Sequence, residues 1–212
     1  MTNIIEQVTT PEEALLKLKE GNFRFLNNMT VNRDSLNRID ETKDEQSPYA
    51  AILSCMDSRI SAELVFDQGL GDIFGLRIAG NVVTDGILGS LEYAVGVVGS
   101  KLIMVMGHTN CGAIKGACDH VKMGYLTSVL EHIQPAIDME KETTFDRTSH
   151  NAAFVNNVMW LNVLHSVDDI LTRSTIIRDL VDKGKLAVVP AIYNVATGKV
   201  SFSEIAGAVK AA

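Results

Sequence analysis

Four short apolar runs, set apart by stretches of helical periodicity, constrain this chain more than any other feature. Residues 49–54 (Tyr-Ala-Ala-Ile-Leu-Ser), 73–78, 101–106 (Lys-Leu-Ile-Met-Val-Met) and 186–192 have strand length and are rich in aliphatic side chains. Between them, residues 126–137, 151–171 and 175–182 carry helical patterns, and residues 86–99 read as a helix tightly packed at its glycines. Short strands alternating with helices predict an α/β fold, with a mostly parallel central β-sheet flanked by helices. Upstream, Thr10-Pro11-Glu12-Glu13 combines a capping residue, a proline at the first helical position and a glutamate that completes a capping box. It opens an N-terminal helical arm over about residues 10–30, on which Leu15, Leu18, Phe25 and Leu26 face a partner surface, either a neighbouring subunit or the same chain. Residues 32–47 are mostly polar and read as a loop.

The 212 residues suit one domain, 1–212, and a 46% hydrophobic content fills a core without disulfide staples. A net charge of −7 with no run of Lys and Arg argues against a nucleic-acid partner. The most apolar region, residues 86–107, is interrupted by Glu92, Lys101 and three internal glycines, so a buried helix followed by a strand fits it better than a membrane span. Residues 1–10 lack the basic start and apolar stretch of a secretory signal, and three cysteines leave one over in a disulfide-built fold. Together these features predict a cytoplasmic protein.

In parallel sheets, sites form beyond the carboxyl ends of strands, and two reactive clusters fall at such ends. One is Cys55-Met56-Asp57-Ser58-Arg59; the other is His108-Thr109-Asn110-Cys111-Gly112. Two cysteines and one histidine form a catalytic zinc set with a fourth position left for water, so Cys55, His108 and Cys111 are candidate ligands. Two thiolates and a neutral imidazole cancel the charge of the ion, so water on it should titrate above the value of about 7 seen with three histidines. A neighbouring group must then help manage the proton. Asp57 is placed for that, with Arg59 holding it ionised and aimed. Cys118, His120, His132, His150 and His165 read as core or surface residues, and Met104 and Met106 as strand core. The glycines near 69–75 and 107–112 miss the dinucleotide and phosphate-loop patterns.

Cys-x-Asp-x-Arg followed by His-x-x-Cys resembles the β-class carbonic anhydrases, and the resemblance runs from about Ala14 to Phe202. Arg77-Ile78-Ala79-Gly80-Asn81 and Tyr193-Asn194-Val195-Ala196-Thr197-Gly198 are similar to family segments. The resemblance implies one zinc per subunit on Cys55, His108 and Cys111, and reversible hydration of carbon dioxide to bicarbonate and a proton. It implies an Asp57–Arg59 dyad whose aspartate ligates zinc in a closed state and pairs with the arginine in an open one. Gln46, Phe74 and Tyr93 match the substrate-binding glutamine and apolar pocket residues of the plant-like, always-open subgroup. The other subgroup has a tryptophan three residues before its first cysteine, in an inhibitory bicarbonate site; here that position is Ile52, so no such site is expected. A homodimer or dimer-based tetramer with a pocket shared between subunits is also implied. Competing readings keep the zinc site but act on carbon disulfide or a similar small substrate, or bind zinc or bicarbonate without catalysis. A hydrolase with a cysteine nucleophile is a further one, and it would survive zinc removal.

Overall fold

The computed structural model describes residues 8–203. Helix α1 (Pro11–Leu26) begins where the sequence signals: Thr10 Oγ1 accepts the Glu13 N–H at 3.2 Å and the Glu13 carboxylate accepts the Thr10 N–H in return. Helix α2 (Ser35–Thr42), strand β1 (Ala50–Ser54), the single turn α3 (Ala62–Val65) and β2 (Ile73–Arg77) follow. Helix α4 (Asp85–Glu92) continues as a π-helical turn at Tyr93–Val98 and leads into β3 (Leu102–His108). Three short helices come next: α5 (Gly112–Cys118), α6 (Gly124–Glu131) and α7 (Gln134–Met139). The long α8 (Ala152–Arg173), α9 (Thr175–Asp182), β4 (Ala187–Tyr193) and β5 (Val200–Phe202) complete the described chain. The sheet order is β2-β1-β3-β4-β5, parallel except for β5. No helix among the described residues is long and apolar enough to cross a membrane.

Four local expectations need correction. The polar segment 32–47 contains α2, because Asp34 Oδ1 caps it by accepting the N–H groups of Leu36 and Asn37. The pattern at 126–137 is two helices, with Pro135 in the first turn of the second. The glycines of 86–99 are not close-packing positions: a Cβ at Gly86 or Gly89 would meet nothing within 4 Å, and Gly99 ends the segment at a φ of +89°. Strand β5 has only three residues, with Val200 alone buried, so it carries too little alternation to be read from sequence.

Alternate residues of the central strands feed two cores. Ala50 and Ile52 of β1 face one, with Leu18 of α1 and Ile114 of α5; Ala51 and Leu53 face the other, with Leu91 of α4 and Ile177 of α9. Helix α8 belongs to both, giving Phe154 and Val158 to the first and Val167 and Ile170 to the second. Midway it presses on the carboxyl end of β3 at Gly107, where a Cβ would lie 2.5 Å from Val163 Cγ2, so only glycine fits. Helix α1 docks on its own chain through Ala14, Leu15, Leu18 and Asn22, and leaves Leu16, Phe23 and Leu26 exposed. Asn22 is the clasp: its amide donates to the carbonyls of Val65 and Gly198 and its oxygen accepts the Val200 N–H.

Asp67 is the second tie on this side. Its buried carboxylate accepts from Arg24 and Arg33, at 2.5 Å each, and from the Val31 N–H. Burial alone would raise its pKa, but the bonds from Arg33, Arg24 and Val31 prevail and hold it below the ordinary 3.8. A depressed folded-state pKa means that the stabilisation is present above the unfolded value and is lost as pH falls through the folded one. Asp67→Asn should therefore cost about 1–3 kcal/mol at pH 7 by chemical denaturation. The gap to the parent should close as the pH is lowered below 3.8.

Candidate metal centre

Strand β1 pairs with β2 on one side and β3 on the other, so the chain order reverses between β1 and β3. Crevices at such switch points are where open α/β sheets bind ligands. The register places Ser54 beside Met106, so Cys55, one residue past β1, emerges beside the end of β3, where His108 is the last strand residue. Cys111 follows at the N-cap of α5. Cys55, His108 and Cys111 are all buried, and their ligand atoms lie within 4.8 Å of one another.

The residues present fit a zinc ion. The two sulfurs are 3.9 Å apart. Two sulfurs on one tetrahedral zinc, each bonded at about 2.3 Å, stand about 3.8 Å apart. The His108 Nδ1 lies 3.0 Å from the Thr109 carbonyl, which only accepts, so Nδ1 carries the proton. Its Nε2 is then a lone-pair donor, buried and with no hydrogen-bond partner among the described residues. The hydrogen bond from Cys111, with smaller help from the Gly80 N–H, brings the Cys55 thiol well below the ordinary range. The same bond, burial and the adjacent sulfur charge push Cys111 up. A divalent cation is what such a pair needs before both sulfurs can be thiolates.

Asp57 stands beside the group but outside it. Its Oδ1 accepts from the Arg59 backbone N–H at 3.0 Å and from Nε at 2.9 Å, and its Oδ2 accepts from Nη2 at 2.7 Å. This bidentate pairing is the main reason that its carboxyl is held far below the usual carboxylate range. The guanidinium also reaches the Asn110 carbonyl, joining the two loops.

The carbonic anhydrase family model matches residues 50–200. The carbonic anhydrase of Mycolicibacterium smegmatis is 34% identical over 91% of this chain and 93% of its own length. Carbonic anhydrase 2 of Mycobacterium tuberculosis is 34% identical over 90% and 92%. The chain belongs to the β-class carbonic anhydrase family. Solved folds agree: a Coccomyxa β-carbonic anhydrase in complex with acetazolamide superposes with a TM-score of 0.72 at 24% identity, covering 82% of this chain and 80% of that one. One of two tetrameric β-carbonic anhydrases from Sordaria macrospora gives 0.66 at 21%, covering 78% and 89%.

Within this chain, not all the residues singled out from sequence meet. Phe74 and Tyr93 pack edge to face, with ring centroids 6.3 Å apart. But Phe74 sits opposite Ala51 of β1, four residues short of Cys55, which is about 13 Å along a strand. Gln46 precedes the opposite end of β1 and lines an exposed cavity of about 340 Å³ with Thr42 and Gly71. The sequence reading also passed over Arg77 as a contributor. From the end of β2 its Nη2 donates to the carbonyls of Met56 at 3.0 Å and Asp57 at 2.8 Å, clamping the loop that carries Asp57. A charged residue closing a strand next to β1 was the available signal. Arg77→Leu leaves both carbonyls without that donor, and should cost about 1–3 kcal/mol in melting experiments and slow carbon dioxide hydration. Parent values in both measurements would show that the clamp is dispensable.

Proposed function

We propose that this chain catalyses zinc-dependent, reversible hydration of carbon dioxide to bicarbonate and a proton, acting as one domain in a cytoplasmic homodimer or dimer-based tetramer. The observation that carries the reading is the buried Cys55–His108–Cys111 group beside an Asp57 carboxylate turned onto Arg59. Zinc on these three residues supplies the Lewis acidity that makes water a nucleophile near neutral pH. Asp57 stays ionised because Arg59 holds both its oxygens, so it would accept the hydrogen bond that orients the attacking water, while the proton itself leaves toward solvent. We read this pairing as the open arrangement that the resemblance to the plant-like subgroup implies. Burial of the three ligating side chains keeps the reacting centre dry on its protein side.

The remaining parts come from the neighbour. In one subunit Gln46, Phe74 and Tyr93 lie toward the opposite end of β1 from Cys55. Strand β2 is an edge of the sheet, and Leu36 and Ile39 of α2, with Leu70 and Tyr93, are exposed on this side. Pairing two copies there lets Phe74 of the partner subunit and Tyr93 of the partner subunit wall an apolar pocket for carbon dioxide. Gln46 of the partner subunit donates its amide N–H to the oxygen on which charge develops.

Stopped-flow carbon dioxide hydration by the zinc-loaded protein tests the activity: turnover should be fast and rise smoothly from neutral to mildly alkaline pH. Asp57→Asn should keep its zinc and lose about ten- to a hundredfold in turnover, whereas Cys111→Ser should lose the metal. Zinc-loaded protein that is inert at every pH would sink the reading. Sharing of the site has its own test. Mixing Cys111→Ser with Gln46→Ala subunits should restore about a quarter of the parental sites, because each mixed dimer holds one intact centre; sites built within one subunit would give no recovery.

A further inference from the structure

We propose that Asn162 of α8, seconded by Ser166, is a positioning residue for the metal centre, acting through the Gly80–Asn81 turn on the sulfur of Cys55. The inference rests on Cys55 being a metal ligand, as read above.

The turn after β2 is held from outside. Asn162 Nδ2 donates to the Gly80 carbonyl at 2.8 Å, and Ser166 Oγ donates to the next carbonyl, that of Asn81, at 3.3 Å. The two side chains are four residues apart on α8, so they share one helix face and grip consecutive carbonyls. Because the Gly80 oxygen only accepts, the amide orientation of Asn162 is settled. That amide is nearly inaccessible, and its own oxygen has no hydrogen-bond partner among the described residues. A buried asparagine costs stability unless its polar atoms are used, and here the donor half alone is engaged, on this turn.

On the other side of the same α-carbon, the Gly80 N–H points at Cys55 Sγ, 3.4 Å away. Gly80 has a φ of +70° and a ψ of +13°, and an added Cβ would lie 2.8 Å from Ile133 Cδ1. A side chain would be strained at this positive φ, and with both dihedrals set, fixing the carbonyl plane fixes the N–H plane. The helix thereby aims a backbone dipole at a ligand sulfur through one residue.

The chemistry gives this a purpose. A hydrogen bond to a thiolate draws electron density off the sulfur and fixes its lone pairs. The sulfur then donates less charge to a bound cation, which remains a stronger Lewis acid. With two thiolates in the ligand set, that correction matters more than it would with neutral ligands. Releasing the turn should make Cys55 sulfur more electron-rich and less well oriented.

The test uses cobalt(II) as a spectroscopic probe and zinc competition against a chelator, on full-length parent, Asn162→Leu, Asn162→Ala and Ser166→Ala proteins. Leucine matches the shape and alanine removes the amide outright, so neither donates to the Gly80 carbonyl. Both Asn162 variants should hold zinc about tenfold or more weakly. Their sulfur-to-cobalt charge-transfer band should move to longer wavelength, and Ser166→Ala should shift it less, in the same direction. Metal-loaded variants should lose more melting temperature than metal-free ones. A folded Asn162 variant with the parental band and zinc affinity overturns the proposal, as does an equal melting loss with and without metal. If neither Asn162 variant folds, a parental band in Ser166→Ala overturns it. Failure of the parent to bind either metal instead overturns the zinc reading on which the inference rests.

Discussion

The parallel pairing of β1 with β3 is the contact on which the site depends. Five register pairs, from Ala50 beside Leu102 to Ser54 beside Met106, bring two strands separated by about half of the preceding chain into one plane. Their ends then deliver a thiol and an imidazole to the same crevice, and the tight turn into α5 adds the second thiol. A slip of one residue in that pairing would send every β1 side chain to the opposite face and separate Cys55 from His108. The two-sided core makes such a slip costly, since Ile52 and Leu53 each have a filled, fully buried place on opposite faces.

Once gathered, the three groups must be held in place. Two sulfurs 3.9 Å apart lie beside a buried histidine nitrogen that has no hydrogen-bond partner among the described residues. The surrounding backbone fixes the loops that carry them. Arg77 grips the carbonyls behind Asp57, Arg59 grips the carboxylate itself, and Gly80 turns its N–H toward sulfur. Helix α8 is the common support: it closes over Gly107 on one strand end and holds the Gly80 turn beside the other.

Strands β1, β3 and β4 were legible because each is a short, nearly unbroken apolar run, as strands buried on both faces must be; the edge strand β2 was legible from Ile73, Phe74 and Leu76 alone. The metal group was legible because its residues sit within a few positions of strand ends. What escaped were features made by contacts between distant segments. Nothing local marks Asn162 as different from any polar residue on a helix; its partner lies 82 positions earlier. Arg77 looks like an ordinary charged strand terminus until its carbonyl partners are placed. Phe74 and Tyr93 were singled out only as apolar pocket residues; sequence could not say that they pack edge to face or that Phe74 sits four residues short of Cys55 along the sheet. The arm was half anticipated: Leu15 and Leu18 turn onto their own chain, and the outward apolar residues include Leu16 and Phe23, one helical step away.

The Asn22 clasp bears on how the molecule is made. Its partner Val200 lies 178 positions later, so helix α1 leaves the ribosome long before the strand it must grip exists. By then β1, β2, β3 and the side chains of Cys55, His108 and Cys111 have already been synthesised. A nascent chain can therefore acquire its central strands while its first helix waits, apolar face uncovered, for the last strand to arrive. Slow translation of the final segment would lengthen that wait and, with it, the interval in which the unclasped helix can engage a chaperone or another nascent copy.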